Sequence, residues 1–370
     1  MRILIAGDWH SELHEEVVSS ALTTLGHEVQ EFKWFHYFKK TNGFWGRLVY
    51  LIRRAENKYT VGFTVNRINK DLLGNVIKFN PDILFIYRGT HITAKTLRKI
   101  RSFVPDCVLV GYNNDDPFAP EHVFYLWRIF LKALPEYDLV LAYRHANILE
   151  YKNAGARHVE LLRSWFVPER NHHVELTATE KTKFETDVVF VGHYEPDQRL
   201  EYLEEIVRQG FSLRLFGPGY DWDPIIKKSE FLRQLKPVHL VWGEDYNRAL
   251  CGAKIALCFL SKLNRDTYTR RCFEIPATQT LLLSEYTDDL ATMYNEGIEA
   301  EFFRTKIEMV QKIKKYLYDA DKCKSIATAG NQRVKLDGHD VISRMQQMII
   351  LVLKIRNQKL TETPINSGVK

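Results

Sequence analysis

Apolar residues along this chain come in short dense runs separated by amphipathic stretches. Arg2–Gly7 (RILIAG) reads as a buried strand. Residues 15–25 follow with apolar positions 17, 18, 21, 22 and 25 at helical spacing, closed by Gly26 where a C′ glycine ends a helix. Extended structure resumes at 28–32, two helical stretches lie near 44–56 and 61–79, and Ile83–Tyr87 (ILFIY) is the next strand. Strand cores at 107–112, Leu139–Ala142 and 159–162 then alternate with helical patterns near 93–103, 121–134 and 145–153. Strands that alternate with helices predict a parallel sheet covered on both faces.

Residues 168–187 break this rhythm. They are polar, lack a sustained apolar period, and read as an interdomain connection. The alternation then restarts, with strands expected at 188–191, Leu213–Phe216, 239–242, 255–259 and 281–284. Helices are expected near 197–209, 245–251, 288–295, 306–319 and 322–330. Thr305 and Glu308 have capping-box spacing for the fourth of these. The organisation predicted is a Rossmann-like domain over 1–168, a linker over 169–187 and a second Rossmann-like domain over 188–340. A helix over 341–359 should pack back toward the first domain through Ile342, Met345, Met348, Ile349, Val352 and Leu353, ahead of a disordered tail at 360–370. Two doubly wound α/β domains in tandem predict a ligand cleft between the carboxyl ends of their sheets.

Composition narrows the class. The 370 residues are 45% hydrophobic and 26% charged, which excludes disordered and collagen-like chains. The longest apolar run, 348–353, is far short of the ~18 residues a membrane span needs. Residues 1–10 carry no apolar signal segment, so the expected location is cytoplasmic, free or at the inner face of a membrane. Five cysteines without a CxxC favour neither a disulfide framework nor a zinc cluster, and no metal or cofactor is expected. A net charge of +6 and 46 aromatic residues point to an anionic ligand or surface and to flat contacts for rings or sugars.

The common cofactor and catalytic motifs are missing. Gly7-Asp8-Trp9-His10 and Gly192-His193-Tyr194-Glu195 stand where a GxGxxG would follow a strand, and there is no P-loop, GxSxG or HExxH. What remains is the stretch from Asp266 to Glu274 (DTYTRRCFE), two carboxylates eight positions apart with Arg270 and Arg271 between them. A loop leading into a helix N-terminus with two arginines suits a diphosphate, and carboxylates accept from sugar or ribose hydroxyls. The competing reading is an exposed Asp266–Arg270 ion pair with Glu274 complementing the helix dipole.

The run Arg270-Arg271-Cys272-Phe273-Glu274-Ile275-Pro276-Ala277, then LLLSE, then NEGIEAEFF, resembles the C-terminal domain of the CgeB-like (spore-maturation-protein-like) glycosyltransferases. These are GT-B enzymes of the "glycosyl transferases group 1" type. The resemblance covers about 188–345 and takes in Val189–Gly192, Leu215-Phe216-Gly217 and 326–330. It implies two Rossmann-like domains facing a cleft and transfer of a sugar from a nucleotide-diphosphate donor to a glycan, glycolipid or glycoprotein hydroxyl, without a metal. It also implies a donor site. The family's E-x7-E pair, sugar then ribose, reads here as Asp266 and Glu274, a D-x7-E. Tyr268, Arg270, Arg271, Gly192, Gly217 and Arg199 complete the candidates. A nucleotide-sugar 2-epimerase, or a catalytically inactive glycan- or nucleotide-binding module, would share the same fold.

The first domain offers acceptor-side candidates. Asp115 and Asp116 follow strand 107–112; Pro117 holds Asp116 extended, so only one of the two faces the strand edge, where it would serve as base or orienting group. Asp8 and His10 follow the first strand at the same edge. Between them in sequence, residues 33–58 interleave Trp34, Phe35, Phe38, Phe44 and Trp45 with Lys39, Lys40, Arg47, Arg53, Arg54 and Lys58. That interleaving fits either an anionic membrane surface, presenting a lipid-linked acceptor, or an aromatic core helix with a solvated basic face. Nucleic acid is not expected as a partner, because no recognition motif accompanies the basic residues.

Overall fold

A computed structural model describes residues 1–9, 11–40 and 43–362. It divides into two compact units, Met1–Ser164 joined by the segment after 340, and Trp165–Asp340. The first unit runs β1 (Arg2–Gly7), α1 (Glu15–Thr24), β2 (Glu28–Lys33), a 3-10 turn (Trp34–Phe38), α2 (Phe44–Tyr59), α3 (Phe63–Phe79) and β3 (Ile83–Tyr87). It continues through α4 (Ala94–Phe103), β4 (Val108–Asn113), α5 (Phe124–Ala133), β5 (Leu139–Ala142), α6 (His145–Asn153) and β6 (Val159–Leu161). The strands form one parallel sheet in the order β2-β1-β3-β4-β5-β6. Runs such as ILFIY have no polar alternation because both faces are covered: all five residues of β3 are buried.

The second unit begins with α7 (Ala178–Phe184), β7 (Thr186–Val191), α8 (Arg199–Arg208), β8 (Leu213–Phe216), α9 (Gly219–Ile226), α10 (Glu244–Cys251) and β9 (Ala253–Cys258). It ends with α11 (Arg271–Ala277), β10 (Leu281–Glu285), α12 (Asp288–Met293), β11 (Glu301–Phe303), α13 (Lys306–Tyr318) and α14 (Ala320–Leu336). Its sheet is parallel with order β11-β10-β9-β7-β8. Both sheets therefore reverse their winding once, between β1 and β3 and between β7 and β9. Ligands of open α/β sheets bind outside the carboxyl ends of the strands at such switch points.

Four features depart from the sequence-based expectation. The first unit ends at Ser164, and residues 165–187 belong to the second. That polar stretch holds α7, opened by a Thr177–Glu180 capping box and anchored by the buried Phe184. No strand covers 239–242; only His239 bridges to Phe216, while Leu240 and Trp242 are exposed between Pro237 and Gly243. The segment GYDWDPII, which shows no apolar period, is α9, which seats Trp222 and Ile226 in the core.

The second unit closes on itself where Phe166 donates to the carbonyl of His339 at 3.0 Å. The chain then returns to the first unit as α15 (Val341–Glu362). Met345, Met348, Val352 and Ile355 are buried, Arg344 Nε donates to Ser164 O, and Arg356 reaches Asp82 at 3.4 Å. Leu353 stays exposed, because the buried stripe runs 345–348–352–355. Among the described residues, no helix is long and apolar enough to cross a membrane.

Candidate functional site

At the switch point of the second unit, three turns converge. Gly192 follows β7 and Gly217 follows β8. A Cβ on Gly217 would lie 2.2 Å from the carbonyl oxygen of Gly192, which already accepts the indole N–H of Trp222 at 2.8 Å. Only glycine lets these two turns touch. From the other side comes Arg271, the first residue of α11. Its Nη1 donates to Val191 O at 3.2 Å, and a Cβ on Gly192 would meet that same nitrogen at 2.9 Å. The guanidinium thus lies against the end of β7, with Nε buried and lacking a hydrogen-bond partner within the chain.

Glu274, three positions on and so on the same helix face, is 5% exposed. The hydroxyl of Tyr246, from α10, donates to its Oε2 at 2.5 Å. Burial first, and then the Glu274 carboxylate, push the Tyr246 phenol well above its usual pKa, so it stays a donor at any physiological pH. One oxygen of Glu274 is held in this way, which fixes the carboxylate beside a cation that retains an unused N–H.

The other donor-side candidates fall differently. Asp266 is half-buried, with its N–H on Ser261 O. Tyr268 is fully buried against Phe273, too deep to meet a ligand. Arg270 lies 6.0 Å over the Trp165 ring. Arg199 is 2% exposed and spent internally. Its Nε and Nη2 bond both oxygens of Asp197 at 2.8 Å, its Nη1 bonds His193 O, and Glu195 lies 3.3 Å away. Arg199 is therefore a loop clamp with no charge left to offer a diphosphate.

In the first unit the equivalent edge carries Asp8 after β1 and the segment Arg88–His91 after β3. Trp9 and Arg88 both adopt positive φ (56° and 65°), strain that a bulky residue tolerates only where its surroundings impose it. Glu15 of α1 accepts the Trp9 N–H at 3.2 Å and holds the turn. Arg88 pairs with Asp115 at 2.7 Å. His91 is buried, with Nδ1 2.9 Å from the Thr90 hydroxyl and Nε2 without a partner in the chain. Burial holds its pKa down to about 4 against the pull of Asp8 and with the help of Arg88, so the ring is neutral at pH 7.

Asp116 is sealed in: its Oδ1 accepts from Phe118 N at 3.0 Å and from Asn147 at 2.9 Å, an Asx turn that starts the following segment. Of the two neighbouring aspartates, Asp115 is the one at the edge with Asp8. His10 lies outside the described residues. Sequence reasoning missed Arg88 and His91. The signal was there, a polar RGTH directly after an all-apolar strand, but its importance depends on the switch point.

Residues 198–350 match a family model described as glycosyl transferase-like. Solved structures match nearly the whole chain. HepE of Anabaena, solved with UDP-glucose, aligns over 96% of this chain and 100% of its own at TM-score 0.65 and 14% identity. The fold is GT-B. Sucrose-phosphate synthase from Thermosynechococcus elongatus aligns over 97% of this chain and 100% of its own at TM-score 0.69 and 11% identity. A glycosyltransferase from Rickettsia africae gives 96%, 98%, 0.62 and 13%. No curated protein matches at the sequence level. The chain therefore carries a glycosyltransferase-like domain on a GT-B fold.

Proposed function

We propose that this protein transfers a hexose from a uridine-diphosphate sugar, without a metal, to a hydroxyl of a glycan or lipid-linked glycoconjugate, in surface polysaccharide or glycoconjugate synthesis. The donor is assigned to the second unit. The observation that carries the reading is the Arg271–Glu274 pair at the β7/β9 switch point, a guanidinium with a buried N–H to spare beside a fixed carboxylate. Arg271, aided by Arg270, would neutralise the diphosphate as it leaves, and Glu274 would accept from a ribose hydroxyl. HepE, with its UDP and UDP-glucose complexes, supports the choice of nucleotide. The acceptor is assigned to the first unit, where Asp115 and Asp8 are the groups to orient or deprotonate its hydroxyl and His91 offers a neutral ring nitrogen.

Titration calorimetry with UDP and UDP-glucose tests the donor half. Binding is expected, and Arg271→Ala should weaken it by about 1.5–3 kcal/mol, the range for a lost charge-assisted partner. Equal affinity in wild type and variant would remove Arg271 from the site. Release of UDP that depends on an added acceptor separates transfer from epimerisation and from simple binding.

A further inference from the structure

The positive charge of this chain is concentrated in one place. Of 52 basic and 46 acidic residues, the segment 33–58 holds seven and one, so the remaining sequence carries 45 of each. The whole net charge of +6 thus belongs to these 26 residues, which include the 3-10 turn and all of α2 but its last residue.

Helix α2 is amphipathic, yet its apolar face is turned outward. Leu48, Leu51, Ile52 and Tyr59 recur at helical spacing and are 49%, 59%, 54% and 45% exposed; Phe63, opening α3, is 77% exposed. A soluble domain normally buries such a stripe. Arg47, Arg54 and Lys58 share the arc beside it, and Arg53 lies on the opposite flank. Among the described residues, the side chains of Arg47, Arg53 and Arg54 make no ion pair or hydrogen bond. Lys58 lies over the Tyr59 ring, and Lys39 over Phe35 at 4.8 Å. The one acid, Glu56, is occupied by the Thr64 N–H. Beside α2 a groove of about 490 Å³ is walled by Val49, Ile52 and Phe63 together with Arg53 and Arg67.

We propose that α2 and the start of α3 lie on the surface of an anionic lipid bilayer. Leu48, Leu51, Ile52 and Phe63 would enter the acyl boundary, and the flanking arginines and lysines would reach the headgroup phosphates. A second copy of this face would set seven cations against seven. Nucleic acid would answer the charge but leave the leucine and phenylalanine side chains in water. Only an anionic bilayer satisfies both halves of the surface. The inference deepens the acceptor side of the proposed function and rests on it for one consequence, that the acceptor is itself embedded in lipid; the binding does not depend on transfer.

The full chain is sedimented with phosphatidylcholine vesicles, with and without about 30% phosphatidylglycerol, at low and high salt. Binding is expected with phosphatidylglycerol at low salt and should vanish at high salt, where the attraction is screened. The combined Arg47→Gln, Arg53→Gln, Arg54→Gln and Lys58→Gln variant should partition less by about two to three orders of magnitude, at roughly fivefold per charge. A Leu51→Trp variant should shift its emission to the blue on binding and be quenched by brominated lipid. The inference is overturned if wild type stays in the supernatant with anionic vesicles at low salt, if the four-charge variant binds equally, or if the emission of the Leu51→Trp variant matches that of wild type with and without vesicles. It is also overturned if the Leu51 face proves to hold a dimer or an oligonucleotide instead. UDP-glucose titration of the same proteins keeps the two readings apart. Vesicle binding without nucleotide binding sinks the transfer reading alone, and the converse sinks this one alone.

Discussion

Replacing Tyr246 by phenylalanine deletes one oxygen and should be felt twice. The hydroxyl donates at 2.5 Å to a carboxylate that is 5% exposed, so water cannot easily replace it. A hydrogen bond to a buried charged group contributes about 1.5–3 kcal/mol, and about 2 is expected here. For a unit of this size that corresponds to a melting temperature lower by about 4–8 °C. Glu274→Gln alone should also destabilise, but in the double variant a neutral amide faces a phenyl ring, and the two losses should not add. A coupling of at least ~1 kcal/mol in the urea-unfolding cycle is the expected outcome. Under the proposed function, Tyr246→Phe should also weaken UDP-glucose about tenfold, since Glu274 loses the bond that fixes it. A coupling below about 0.5 kcal/mol would show that the two side chains do not meet as described, and the Glu274 assignment would lose its support.

Two glycine-to-alanine changes should have opposite signs. At Gly217 the new methyl would lie 2.2 Å from a backbone oxygen, and unfolding in urea should show a loss of about 3 kcal/mol or more; at Gly74, mid-helix in α3 with nothing within 4 Å, the same change should stabilise by about 0.5–1 kcal/mol. The first unit should weaken on acidification through His91. Its folded pKa of about 4 lies below the unfolded 6.5, so the unfolded chain takes up the proton first, and stability present above pH 6.5 falls toward pH 4 by roughly 3 kcal/mol. Urea unfolding at pH 7 and pH 4.5 should show His91→Asn losing less than wild type.

How much of this was legible beforehand depends on whether the signal is local. The strands ILFIY and RILIAG declared themselves because a strand buried on both faces must be apolar throughout. The stretch at 239–242 has a similar run, but Pro237 supplies no N–H and Gly243 turns the chain, leaving one bridge at His239. Helix α9 was invisible for the opposite reason. With Gly219 at its start and Pro224 inside, its only periodic feature is Trp222 with Ile226, one turn apart and both fully buried. For α7 the signal existed in the T-x-x-E spacing of Thr177 and Glu180, but seven residues with one buried Phe184 show no apolar period.

The candidate site divides along the same line. Alternation of side chains along extended backbone shows that Asp115 and Asp116 point apart, yet the choice between them is made by Asn147, thirty-one residues later on α6. Arg88 and His91 matter because β3 lies beside β1 in the sheet, which no local pattern encodes. Arg199 and Arg271 show the contrast most plainly. Both stand at the carboxyl edge of the second sheet, in the first turn of a helix. Arg199 follows Glu195 and Asp197 within four residues, so its neutralisation is written in its own neighbourhood. Arg271 has no acid within two residues and meets Glu274 only on the same helix face, while its Nη1 rests on the end of another strand. An arginine becomes a candidate for an anionic ligand when the fold buries part of it and leaves one of its guanidinium nitrogens without a hydrogen-bond partner. Of these two, only Arg271 meets both conditions.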